Sequence, residues 1–266
     1  MSRLGGVGRA GGRGVGRLLA GMALVGAVAV GVRAQVALPL LPTSVAYDSA
    51  GNLYFADTNR DEVYESSLGG VLTVVAGNGV QGFAGDGGAA TSAELNSPQG
   101  VAVGADGTLY IADSGNERIR AVIAGTISTF AGSGSVGFGG DGGGALTAMF
   151  RLPNALATDA NGALLVSDSG NARVRRISGG VIVTIVGNGT QGFAGDGGMA
   201  VAAEIDTPMG LAVGADGRIF VADSHNDRIR VVATNGTIST FAGSGLGGSQ
   251  GMVERRLGRG FRCRAV

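Results

Sequence analysis

The chain has 266 residues, 44% of them apolar and 53 of them glycine, with one Cys, one His and no Trp. Glycine follows no triplet period and the apolar content is ample for a core. That excludes a collagen-like or disordered chain and favours short strands joined by tight turns. The formal net charge is +0, but the 10 Arg and 19 acids between the two Arg-rich ends give that body a net charge of −9, which excludes nucleic-acid binding through a basic face.

The first segment, residues 1–34, carries five Arg and no acid and contains the apolar run Leu18 to Val32. A run of 15 residues is short of the roughly 20 that span a bilayer, so it predicts a signal peptide cleaved after Ala34 rather than an uncleaved anchor. No Arg pair precedes the run, which points to the general secretory route. The mature chain is expected to begin at Gln35, to reach the periplasm or the extracellular space, and to keep no stable membrane span. Cys263 stands alone, so export here implies no intrachain disulfide.

From Pro42 the chain repeats. Pro42 to Asp57, Pro98 to Asp113, Pro153 to Asp168 and Pro208 to Asp223 share one pattern: a short apolar strand, a Gly-containing turn and a second strand. Ala105-Asp106-Gly107 and Ala215-Asp216-Gly217 carry strong hairpin chemistry. A turn such as Asp113-Ser114-Gly115-Asn116 follows, then Arg118-Ile119-Arg120, which opens a third strand with both arginines on one face. Segments such as Ile127 to Ala131 supply a fourth. After the fourth strand comes an insertion, Gly82 to Gly88, Gly137 to Gly143 and Gly192 to Gly198, whose aspartates Asp86, Asp141 and Asp196 lie 55 residues apart. Alanines at four and seven residues after each aspartate, Ala90 with Ala93, Ala145 with Ala148 and Ala200 with Ala203, predict one helical turn packed on the next blade.

Four short antiparallel strands per repeat predict an all-β fold, a β-propeller of four-stranded blades at about 42–97, 98–152, 153–207 and 208–245. Pro-x-Gly-Val-Ala-Val, Leu-Tyr-Ile-Ala-Asp, Asn-x-Arg-Ile-Arg and Gly-Asp-Gly-Gly, in fixed order, resemble the NHL repeat. The similarity is to the variety with Gly-Asp-Gly-Gly insertions, found in bacterial exported proteins and the teneurin propeller, and it covers Pro42 to Gly245. The first copy departs from it, with Arg60-Asp61-Glu62-Val63-Tyr64 in place of the arginine pair. The register also ends after Gly245. Residues 246–266 are an irregular Arg-rich tail that resembles a shifted reading frame, with a natural basic tail as the alternative.

The resemblance implies a propeller that commonly needs more blades than four, so an incomplete or open arc is expected. Its end faces, Val45, Leu53 and Phe55 on blade one and Leu211, Ile219 and Val221 on blade four, would then lack partners, and residues 35–245 would self-associate through open blade edges. A catalytic site needs one constellation of its own, whereas Asp57, Asp113, Asp168, Asp223 and the arginines Arg118, Arg120, Arg173, Arg175, Arg228 and Arg230 recur with the blades. They are read as structural: each aspartate accepts backbone N–H bonds in its own turn, and an arginine reaches a neighbouring carboxylate. Asp86, Asp141 and Asp196 are read as turn caps, with Ca²⁺ between glycine carbonyls left open. His225 is read as a surface turn residue, and no cofactor or transition metal is expected. NHL-type lyases acting on amidated peptides use metal-held histidines that this chain lacks. The resulting reading is an exported binding or scaffold module holding a protein, peptide or glycan on its rim loops. The alternatives are a propeller lyase or lactonase and a non-functional gene fragment.

Overall fold

The computed structural model describes residues 40–245. The expectations of a cleaved leader and of an irregular tail lie outside the described residues. Four antiparallel sheets follow one another along the chain, each with its strands in sequence order. Blade one is β1 (Pro42–Tyr47), β2 (Leu53–Asp57), β3 (Glu62–Ser66) and β4 (Leu72–Ala76). Blade two is β5 (Pro98–Val103), β6 (Leu109–Asp113), β7 (Arg118–Ile123) and β8 (Thr126–Ala131). Blade three is β9 (Pro153–Thr158), β10 (Leu164–Asp168), β11 (Arg173–Ser178) and β12 (Val181–Val186). Blade four is β13 (Pro208–Val213), β14 (Ile219–Asp223), β15 (Arg228–Val232) and β16 (Ile238–Ala242). The molecule is all-β, a propeller of four blades, with no α-helix among the described residues.

Local chemistry sets these elements. In the β5–β6 hairpin Gly107 adopts φ +83, and Asp106 Oδ1 accepts the Thr108 N–H at 3.0 Å, which closes the turn. Proline opens each first strand, where a missing N–H costs the ladder nothing, and the register shifts just after Pro98. The predicted turn in each insertion is a single 3-10 turn, Ala90–Ser92, Ala145–Thr147 or Ala200–Ala202.

Period-two alternation turns two apolar rows to opposite sides of each sheet. In blade two, Val101 pairs with Ile111 and Ile111 with Arg120, and this row faces blade one. Ala102, Tyr110 and Ala121 face blade three. The core is thus three layers between successive blades rather than one centre. The inner strands β1, β5, β9 and β13 pack in that order, while β13 does not pack on β1 to a comparable extent.

The arc is open, and burial follows from that. Val45 is 60% and Tyr47 67% exposed, against 2% for Val101 at the position of Val45. Val45, Leu53 and Phe55 lie on the face of blade one turned away from blade two. Phe55 is shielded by Tyr64, whose ring stacks on it at 5.3 Å. The blade-four expectation is corrected: Leu211, Ile219 and Val221 pack against blade three. Each blade turns the same row toward its predecessor, so blade four's unpartnered face is the other one, with Phe220, Ile229, Phe241 and Ala242. Ile229 is 36% exposed where Ile119 and Val174 are 0%.

Candidate functional site

The recurring aspartates and arginines are brought together three times in one arrangement. Asp113 ends β6 fully buried, with one oxygen accepting the Asn96 N–H at 2.8 Å and the other accepting Asn116 Nδ2 at 2.9 Å and Arg120 Nη1 at 3.2 Å. Arg120, also fully buried, reaches out to Asp86 of the preceding insertion at 2.7 Å. Asp86 in turn accepts the Thr129 hydroxyl at 2.6 Å. Arg175 joins Asp168 at 3.3 Å to Asp141 at 2.6 Å, and Arg230 joins Asp223 at 3.1 Å to Asp196 at 2.7 Å. Each bridge fastens one blade's insertion to the outer strands of the next.

One detail of the expected capping is corrected. Only Asp57 accepts a backbone N–H from its own turn, that of Asn59 at 3.2 Å. Asp113, Asp168 and Asp223 take theirs from Asn96, Arg151 and Asp206, each 17 residues earlier on the segment entering the same blade. The aspartate therefore ties its own turn, through the Asn116, Asn171 or Asn226 side chain, to the segment that enters the blade.

In the bridge of Asp86, Arg120 and Asp113 the two carboxylates titrate in opposite directions. Burial pushes Asp113 up, and pushes Asp168 up to about 6 despite its bonds from Asn171 and the Arg175 charge. Burial also acts on Asp86 and Asp196. There the hydrogen bonds from Thr129 and Thr240, with the arginine charge, outweigh it and hold both below the usual carboxylate range.

Arg118, Arg173 and Arg228 lie over the insertion rings of Phe83, Phe138 and Phe193, at 3.9, 3.7 and 3.8 Å from the centroids. Sequence reasoning left these phenylalanines without a role. The readable signal is their constant separation of 35 residues from the arginine they meet. Blade one lacks this machinery. Tyr64 holds Arg120's place and donates to Glu62 at 2.5 Å, and Arg60 Nε stands 3.6 Å from Asp57.

All thirteen recurring charged residues are structurally placed, so a binding site is sought among residues that do not repeat. The position after the blade proline holds Thr43, Gln99, Asn154 and Met209. Three of them form a hydrogen-bonded run across blades one to three. Thr43 Oγ1 donates to the Gln99 carbonyl at 3.0 Å and lies 3.1 Å from the Thr58 hydroxyl, and Asn154 Nδ2 donates to Gln99 Oε1 at 2.9 Å. The hydroxyl of Thr58 donates to the Pro98 carbonyl at 2.8 Å. These hydroxyls therefore bond each other and the backbone, not a base that would activate them.

The register Pro208↔Asp223 puts the start of each first strand beside the end of the second, so His225, just after β14, stands on the same rim. It is 64% exposed, with Nδ1 at 3.0 Å from Thr207 Oγ1 and 3.3 Å from Asp206. The rim offers amides, hydroxyls and one imidazole, a set suited to hydrogen-bonding a polar ligand. Among the described residues no three His, Cys, Asp or Glu side chains gather as a metal site, and no helix is long and apolar enough to cross a membrane.

Comparison with known proteins agrees with this architecture. The model of the teneurin NHL domain matches residues 74–124 and 182–252. Human teneurin-1 is 30% identical over 240 aligned residues, covering 77% of this chain and 8% of that protein. The chloroplastic protein SUPPRESSOR OF QUENCHING 1 of Arabidopsis thaliana is 28% identical over 208 residues, covering 73% of this chain and 19% of that protein. The chain thus spans less than a fifth of these relatives. An auxiliary nutrient binding protein of Bacteroides ovatus superposes with a TM-score of 0.57 at 13% identity, over 77% of this chain and 48% of its own, a likeness of fold. By its repeated sequence, its four blades and its relatives, the chain belongs to the NHL-repeat β-propeller family.

Proposed function

We propose that the chain is an exported binding or scaffold module that holds a peptide or glycan on the rim carrying Thr43, Gln99 and Asn154. The observation that carries this is the hydrogen-bonded run itself. It consists of residues that differ from blade to blade, lies at the mouth of the inner strands, and presents amide and hydroxyl groups that pair with peptide bonds or sugar hydroxyls. The recurring charges are already engaged within the fold and are not offered to a ligand. Asp86 and Asp196 are among them, bonded to Arg120 with Thr129 and to Arg230 with Thr240. Export rests on the pattern of residues 1–34, and a fold of this kind hosts many functions, so the site and not the fold carries the reading.

Arrays of peptides and glycans probed with the full-length chain test it. For any retained ligand, Gln99→Ala and Asn154→Ala are each expected to weaken binding about 3- to 10-fold, the worth of one hydrogen bond. A ligand bound equally well by the double variant would overturn the assignment of the rim.

A further inference from the structure

Blade four carries on its open face a cleft of about 330 Å³ lined by Ser224, Asp227, Ile229, Ala242 and Gly243. The same socket exists on blades one, two and three, and there each is filled by the segment leading into the next blade. Thr58 donates to the Pro98 carbonyl at 2.8 Å, and Ser114 and Ser169 bond the Pro153 and Pro208 carbonyls. Asp61 and Glu117 accept the N–H of the residue before the proline, Ser97 at 2.6 Å and Leu152 at 2.7 Å. Gly77, Gly132 and Gly187 donate to the Ala90, Ala145 and Ala200 carbonyls at 3.0, 2.9 and 2.9 Å. Leu95, Phe150 and Ile205, three residues before each proline, are fully buried in the layer so formed.

At blade four the receiving groups are all present: Ser224 for the carbonyl, Asp227 for the N–H, and Gly243 for the turn. Among the described residues Gly243 has no counterpart of the glycine bond, and Ser224 Oγ bonds only the Ala222 carbonyl, at 3.3 Å. The plug is defined by three occupied examples as Ala-x-x-Ala-x-φ-x-x-Pro, where φ is Leu, Phe or Ile, followed by an apolar strand. Ahead of blade one only part of that frame recurs: Ala37 stands five residues before Pro42, but Pro39 takes the φ position and Ala34 belongs to the segment expected to be cleaved. Blade one then offers Val45 and Tyr47, 60% and 67% exposed, on the face a preceding blade would cover.

We propose that the blade-four socket docks blade one of a second copy of this chain, head to tail. The Pro42 carbonyl goes to Ser224 and the Leu41 N–H to Asp227, with Val45 and Tyr47 over Ile229 and Phe241. The missing bridge agrees with this. Tyr64 takes the place of the arginine from which a bridge on blade one would start, so no such bridge is lost when another copy precedes it. Joined at both ends, the described residues of two copies carry eight blades, within the range in which propellers close. This stands apart from the rim reading, which does not use the end faces.

Cross-linking of the full-length chain in a Cys263→Ser background tests the contact. Leu41→Cys and Asp227→Cys, made in separate chains, are expected to form a disulfide when mixed under oxidising conditions and not when either is alone. Glu117→Cys with Leu152→Cys, the same contact inside one chain, calibrates the geometry. Ile229→Asp is expected to weaken association at least tenfold in sedimentation at several concentrations. A monomer at every concentration, failure of the mixed disulfide where the control forms, or a disulfide formed within one monomer carrying both cysteines would overturn the proposal. So would aggregates that lack the 41–227 link.

Discussion

Each bridge arginine holds one positive charge between a buried and a half-exposed carboxylate, and the two ends are not equivalent. Removing Arg175 strands Asp168, which has no exposed surface, whereas removing the Asp141 charge leaves the inner pair intact. Arg175→Met is therefore expected to cost about 3–5 kcal/mol, and Asp141→Asn about 1 kcal/mol, in urea unfolding. Equal losses would mean that the buried partner is not what the arginine serves. The opposed titrations add a pH signature. Asp168 has a folded pKa of about 6, above its unfolded value near 4, so between those values the folded state binds the extra proton and stability grows as pH falls. Asp86 and Asp196 are held low when folded, so their contribution is present above about pH 4 and is lost as pH falls through their folded values. Melting temperature is expected to rise modestly from pH 7 to about 5 and to drop below about 4, with Asp168→Asn reducing the rise, part of which Asp113 retains, and leaving the drop. A steady decline from pH 7 would refute the dominance of burial at Asp168. The recurrence of these charges was legible in the chain, and their structural role follows from it. The 17-residue reach from Asp113 back to Asn96 was not, because a carboxylate in an Asp-Ser-Gly-Asn turn has local donors enough to satisfy a sequence argument.

At the scale of the element, the insertion is a wedge tied to both of its neighbours. The Gly77 N–H of blade one donates to the Ala90 carbonyl at 3.0 Å, and the Ala90 N–H donates to Gly125 of blade two at 2.8 Å. The alanine spacing revealed a small-residue turn, but not its type. The turn is 3-10 because it lasts only three residues before Ala93 returns to extended backbone at φ −77, ψ 154. Gly140 and Gly142 separate backbone freedom from close packing. Both have positive φ, +84 and +78, but a Cβ on Gly140 would lie 2.7 Å from Ala148 Cα, while one on Gly142 meets open space. Each substitution by Ala incurs the left-handed cost of about 1–2 kcal/mol. Gly140→Ala is expected to lose about 1–3 kcal/mol more, since the Ala148 backbone is held between two blades and has little room to yield. Matching thermal melts for the two variants would show that the insertion is loose enough to absorb a methyl group and is no wedge.

Across the whole molecule, stability is divided among layers between blades, and an open arc gives the four blades unequal shares. Blade number and blade limits were readable from the spacing of Pro42, Pro98, Pro153 and Pro208, each the first residue of a sheet. Which face of an end blade stays bare was not readable for blade four. Both rows of a blade are apolar, as Val101 beside Ala102 shows, and alternation alone does not say which row looks backward along the arc. The structure resolves this through burial: Ile119 in β7 and Val174 in β11 are 0% exposed, and Ile229 at the same place in β15 is 36%. Local opening costs least where few apolar contacts are broken, so amide exchange should follow the layers. Central strands of blades two and three, covered on both faces, are expected to exchange slowest, at rates near those of global unfolding. Amides of β1 and β16 are expected to exchange first, by at least tenfold. The measurement belongs on the Ile229→Asp chain at low concentration, where docking between copies cannot protect the ends. Uniform protection over all four sheets in that variant would mean that the end faces are covered within one molecule. Val45, Tyr47 and Phe241 would then be core residues, and the arc would be closed.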